Sequence, residues 1–113
     1  MLEKASFIQG VFSCEGRGLE KPVALAKYQV PPDKRAQTIY FRAGNSASEL
    51  FNLSLMRNGR LMRYFPVGAK SAIHVPLAVV EDLSPESVIE VLAAAPEGVA
   101  ATVVLDIGFL EIA

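Results

Sequence analysis

The chain of 113 residues predicts an all-β fold, a single antiparallel β-sandwich of about seven to eight short strands. Three observations predict it. Turn signals recur at strand-length intervals, and an Asn-Gly pair stands between two alternating apolar segments. The one segment that could be a helix is rich in β-branched residues. The turn signals are Glu15-Gly16-Arg17-Gly18, Pro31-Pro32-Asp33, Gly44-Asn45-Ser46, Asn58-Gly59, Pro66-Val67-Gly68, Ser84-Pro85 and Pro96-Glu97-Gly98. With 51% hydrophobic residues, one domain over residues 1–113 can fill a core without disulfides or metals. A mean hydropathy of +0.32 is high for so small a chain and implies apolar surface left over for a partner.

Taken in order, Ser6–Ser13, Val23–Val30 and Gln37–Arg42 read as strands, and in the third Ile39 and Phe41 alternate with Thr38, Tyr40 and Arg42. Asn58-Gly59 is the clearest turn, because a type I′ hairpin needs positive φ at both central residues. Setting Arg57 opposite Arg60 pairs Leu55 with Met62 and Leu53 with Tyr64. Phe51, Leu53, Leu55, Met62 and Tyr64 are then expected inside. Asn52, Ser54, Met56, Leu61, Arg63 and Phe65 are expected outside. Ala72–Leu77 places Ile73, Val75 and Leu77 on one side and His74 on the other, and Pro76 marks an edge or a strand end. Thr102–Ile112 puts Val103, Leu105, Ile107 and Phe109 on one face. Val104, Leu110 and Ile112 share the other with Asp106 and Gly108.

Ser84–Ala95 has two readings. Ser84 as N-cap, Pro85 at the first helical position and Glu86 in the first turn would start a helix near residues 85–95, making the fold α+β. Val88, Ile89 and Val91, with a turn at Pro96-Glu97-Gly98, favour a strand instead. The run Leu83-Ser84-Pro85-Glu86-Ser87-Val88-Ile89-Glu90-Val91 resembles the corner that enters a late strand of immunoglobulin- and fibronectin type III-like sandwiches. Ile89 stands where those domains usually carry tyrosine, and the chain has no tryptophan. The resemblance implies general architecture and no function.

Composition narrows the chemistry. One histidine and one cysteine cannot build a usual structural zinc site, so no metal or other cofactor is expected. A carboxylate site from His74, Glu81 and Asp82 is conceivable but not pre-arranged by spacing. Gly44-Asn45-Ser46-Ala47-Ser48 lacks the nucleophile elbow G-x-S-x-G, and no phosphate-binding Gly-rich motif is present. Cys14 reads as a small buried hydrophobe near a strand end, with a reactive thiol beside Arg17 as the alternative. It cannot form an internal disulfide, which suits a cytoplasmic protein or a particle assembled in the cytoplasm. No run approaches the roughly 18 apolar residues of a membrane helix, and the residues around Glu3 and Lys4 do not resemble a secretory signal.

Charge is divided along the chain. Residues 1–70 hold all 11 Lys and Arg against five acids (+6), and residues 71–113 hold seven acids and no base (−7). The two parts either interleave and pair across strands or form opposed surfaces for head-to-tail docking. Arg57, Arg60, Arg63 and Lys70 lie near Tyr64 and Phe65, but the expected register splits them and the acidic part would repel phosphate. Neither nucleic acid nor membrane is an expected partner.

These features point to a non-catalytic protein–protein interaction or assembly module. It is expected to form a homo-oligomer or to serve as a small accessory subunit of a larger complex or particle. The expected contact surface is Met56, Leu61, Arg63 and Phe65, with Leu110 and Ile112 second. One alternative is a small apolar ligand held between the sheets by Phe51, Tyr64 and Phe109. A more distant one is a small hydrolase or lyase using His74.

Overall fold

The structure, a computed structural model, describes residues 3–77 and 81–113. The last part of the apolar run Val75–Val80, residues 78–80, lies outside the described residues. Among the described residues nine strands follow in order: β1 (Glu3–Glu15), β2 (Val23–Gln29), β3 (Arg35–Asn45), β4 (Phe51–Arg57), β5 (Arg60–Val67), β6 (Ser71–Pro76), β7 (Asp82–Leu83), β8 (Val88–Ala94) and β9 (Ala100–Ile112). No helix occurs among the described residues, and Val88–Ala94 is a strand, as its β-branched residues require.

Two antiparallel sheets face each other. Sheet A has the order β1-β9-β3-β6, with the short β7 also on β3, and sheet B the order β2-β8-β4-β5. Apart from the β4–β5 hairpin and the step from β6 to β7, each connection crosses from one sheet to the other. The sandwich is therefore closed in jelly-roll order. Pro76 ends β6, an edge strand, where its missing N–H leaves no ladder bond unmade.

The core forms where the two inner faces meet. Sheet A supplies Ile8, Phe41, Ala43, Val103, Leu105, Ile107 and Phe109, and sheet B supplies Phe51, Leu53, Leu55, Phe65, Val67, Ile89 and Val91. Phe41 and Phe65 stack across the gap with centroids 3.9 Å apart and planes 4° apart. Tyr28 stacks on Phe109 at 4.2 Å and donates its hydroxyl to the buried Glu111 carboxylate. Burial, together with that carboxylate, holds the Tyr28 phenol far above its ordinary pKa.

The hairpin turns as expected, with positive φ at Asn58 (49°) and Gly59 (81°). Its register does not continue as expected. Arg57 faces Arg60 and Met56 faces Leu61, but Leu55 faces Arg63, so Met62 is an extra residue in β5. This bulge reverses the parity of everything beyond it. Phe65 is in the core at 5% exposure, and Tyr64 is outside at 61%. The outcome is the favourable one: a wholly apolar ring is buried, and a phenol that would have lacked a partner stays in water.

A second bulge, between Thr38 and Tyr40 in β3, turns Ile39 outward at 40% exposure while Phe41 is fully buried. The expected sharing of a face by Ile39 and Phe41 is therefore overturned. The divided charge interleaves: β9 runs between β1 and β3, and all three ion pairs among the described residues join a base from residues 1–70 to an acid from 71–113. They are Lys34–Glu111, Arg35–Asp82 and Arg42–Asp106.

Candidate functional site: the outer faces of the two sheets

Each sheet turns one face to solvent. On the outer face of sheet B, cross-strand pairing sets Lys27, Glu90, Met56 and Leu61 in one row and Ala24, Leu92, Ser54 and Tyr64 in the next. Leu61 and Tyr64 are exposed and Met56 and Leu92 half-buried, giving an apolar patch of four side chains from three strands. Met56 and Leu61 thus stand where the sequence placed them. Phe65 does not, and Tyr64 takes its place. Arg63 is half-buried on the inner side of the bulge, beside Leu55, Thr38 and Leu77. Leu110 is half-buried and Ile112 buried at 7%, both in β9 of the other sheet, so neither joins this patch.

The outer face of sheet A is tiled differently. Phe7, Gly108 and Tyr40 form one row, and Gln9, Asp106, Arg42 and His74 the next. Val11, Val104, Gly44 and Ala72 form a third. Rows along a strand are about 7 Å apart. Tyr40 lies over Gly108, where a Cβ would meet its ring at 2.1 Å, and so reaches the next row. Its hydroxyl donates to Asp106 Oδ1 at 2.8 Å. Gln9 Nε2 donates to the same oxygen at 3.1 Å, and Arg42 Nη1 approaches Oδ2 at 3.5 Å. The His74 ring meets Tyr40 edge-on at 6.0 Å.

The Tyr40 hydrogen bond, then those of Gln9 and the charges of Arg42 and His74, hold the Asp106 carboxyl below its ordinary pKa. A depressed carboxylate contributes stability above its unfolded pKa and loses it as pH falls through the folded value. Tyr40→Phe is therefore expected to move the Asp106 titration up toward the ordinary carboxylate range. It should also lower stability at neutral pH and shrink the part of it lost on acidification, because the folded and unfolded carboxyl then differ less; NMR titration follows the first effect and urea unfolding at neutral and acid pH the second.

Beside this row lies a cleft of about 530 Å³ with Gly44 and Ala72 on its floor and Arg42, His74, Asp106 and Val104 around it. It continues into a second hollow over Gly44, Ala72, Ser46, Thr102 and Lys70, and into a third over Ser46, Thr102, Ser13, Ala100 and Glu15. The shared residues make one groove along β9 from Asp106 to Ala100, roughly 20 Å at strand rise. Sequence reasoning missed it. The alternation of β9 announced an outer face, but not which strands lie beside it.

Other expected sites fall apart. Phe51 is fully buried, Phe109 is stacked on Tyr28 and Tyr64 points outward, so these three line no common cavity. Asp82 is bound by Arg35 and Gln37 on β3, and no three His, Cys, Asp or Glu among the described residues are grouped to hold a metal ion. Cys14 is buried, and burial raises its thiol pKa against the opposing charge of Arg17, the reverse of an activated thiol. Ser46 accepts the Thr102 N–H at 2.7 Å and lies two rows from His74, out of reach of that imidazole as a base.

No known family's sequence profile matches the chain, and no curated protein does. Solved structures share its fold. The CBM36-1 domain of a multidomain xylanase, from the hindgut metagenome of Trinervitermes trinervoides, aligns over 97% of this chain and 98% of its own. Its TM-score is 0.59 at 13% identity. Part of the insecticidal delta-endotoxin Cry8Ea1 of Bacillus thuringiensis aligns with 91% of this chain, at TM-score 0.52 and 9% identity. Part of a chain of infectious bursal disease virus, Gx strain, aligns with 96%, at TM-score 0.54 and 10% identity. The alignment spans 20% of the toxin chain and 32% of the viral one. At such identities the likeness is one of fold: a β-sandwich module of the kind found as part of larger proteins.

Proposed function

We propose that this chain is a non-catalytic assembly module that pairs with a second copy of itself through the outer face of sheet B. The observation that carries the reading is the apolar patch of Met56, Leu61, Tyr64 and Leu92, created when the β5 bulge turns Tyr64 outward. Lys27 and Glu90 border it as an adjacent cation and anion. A two-fold axis through the patch would set its apolar side chains against their own copies, as an isologous interface requires. With three strand-crossing ion pairs already engaging part of the divided charge, apolar burial drives association. The likeness to part of a viral chain fits a module used in assembly, and a reducing cytoplasm suits its one free, buried cysteine.

Light scattering tests the proposal. The expected mass is twice the 12.2 kDa of the chain, unchanged between low and high salt. Tyr64→Lys, at an exposed position, should raise the dimer dissociation constant about tenfold or more, the usual effect of losing an aromatic anchor. A monomer at all concentrations would end the proposal, and a dimer that Tyr64→Lys leaves intact would move the interface elsewhere.

A further inference from the structure

We propose that the groove on the outer face of sheet A binds an extended, neutral, hydroxyl-rich glycan chain, a role separate from pairing through sheet B. Four features of the groove select that ligand.

Its floor strands, β3 and β9, are hydrogen-bonded on both sides, so they offer no free backbone to which a peptide could add as a strand. Recognition must come from side chains. Those at its head, Gln9, Asp106, Arg42 and His74, are planar groups in one row. They present donors and acceptors side by side, as neighbouring hydroxyls need. The charged groups along the groove are two cations, Arg42 and Lys70, and two anions, Asp106 and Glu15. A groove of zero net charge gives an anionic polymer no general attraction. Finally, Phe7, half exposed, and Tyr40 flank the polar row with aromatic rings on which the C–H face of a sugar ring can pack. Gly44, Ala72, Thr102 and Ser46 keep the floor low on either side of the exposed Val104. The open ends suit an internal stretch of a chain.

The test uses β-1,4-linked hexasaccharides of glucose, xylose and mannose, with a galacturonic acid hexamer as anionic control. Each is titrated into the whole protein by calorimetry at low and high salt. At least one neutral hexamer is expected to bind with a dissociation constant between about ten micromolar and one millimolar, with little salt dependence. Gly44→Val should weaken that binding at least tenfold. A Cβ at Gly44 meets only Val104 and Ala72 at 3.8 and 3.9 Å, and the γ carbons of valine rise from a strand position on the outer face, so the floor is raised; circular dichroism of the variant checks that it is folded. Arg42→Ala should weaken it similarly, whereas Tyr64→Lys should leave it unchanged, which separates this site from the proposed dimer interface. Failure of every neutral hexamer to bind at millimolar concentration would overturn the proposal. So would binding that Gly44→Val leaves intact, or a salt-suppressed preference for the galacturonic hexamer.

Discussion

At dilutions where the chain is monomeric, Phe65→Ala is expected to lose about 3–5 kcal/mol of folding stability, and Tyr64→Ala, one residue away, less than about 1 kcal/mol. The difference rests on the β5 bulge. Phe65 is 5% exposed and stacks directly on Phe41 from the opposite sheet, so its removal leaves a cavity between the sheets as well as losing its transfer energy. Tyr64 is 61% exposed on the outer face and leaves nothing behind. Urea unfolding of the two variants, with m-values compared against the parent, measures both. A larger loss for Tyr64→Ala would mean that the hairpin runs without its bulge.

Gly16→Ala should be comparably damaging, at about 3 kcal/mol or more. Gly16 is buried where the β1–β2 loop crosses the turn between β8 and β9. There its N–H donates to Val99 O at 2.7 Å, and its carbonyl accepts the Gly98 N–H at 2.9 Å. A Cβ would lie 2.3 Å from Pro96 O and 2.8 Å from Ala95 O. These are backbone oxygens already engaged by the Gly18 and Val99 N–H groups, so no side chain can swing aside, and the loop must detach. Gly44→Ala provides the contrast. Its Cβ makes only ordinary contacts, and replacing a strand glycine there should be neutral or stabilising by up to about 1 kcal/mol. Thermal unfolding of the pair separates the two cases, and equal losses would contradict this account of the loop.

Much of this was legible before the structure. Strand alternation in β9 set Val103, Leu105, Ile107 and Phe109 on one face, and the structure buries that face in the core. Asn58-Gly59 fixed the hairpin turn, since few residue pairs accept two positive φ angles. The bulge left a trace that was there to be read. Without it, Phe51 would face Pro66 in the core, and Val67 would point to solvent. With it, Phe51 faces Val67. The polar row was not legible, because Gln9 and Asp106 are 97 positions apart and meet only once β1 pairs with β9. Turn signals led to about seven to eight strands, and the described residues form nine, one of them the two-residue β7. The jelly-roll order is set by which sheet each connection enters, and side-chain alternation carries no record of that.

On the proposals above, the two outer faces do different work. Amide NMR spectra recorded first on dilution and then with the tightest-binding hexasaccharide test it directly. Dilution should move resonances around Met56, Leu61, Tyr64 and Leu92, and the glycan should move those around Gln9, Arg42, His74 and Asp106, with little overlap. A common set of residues responding to both would contradict the account.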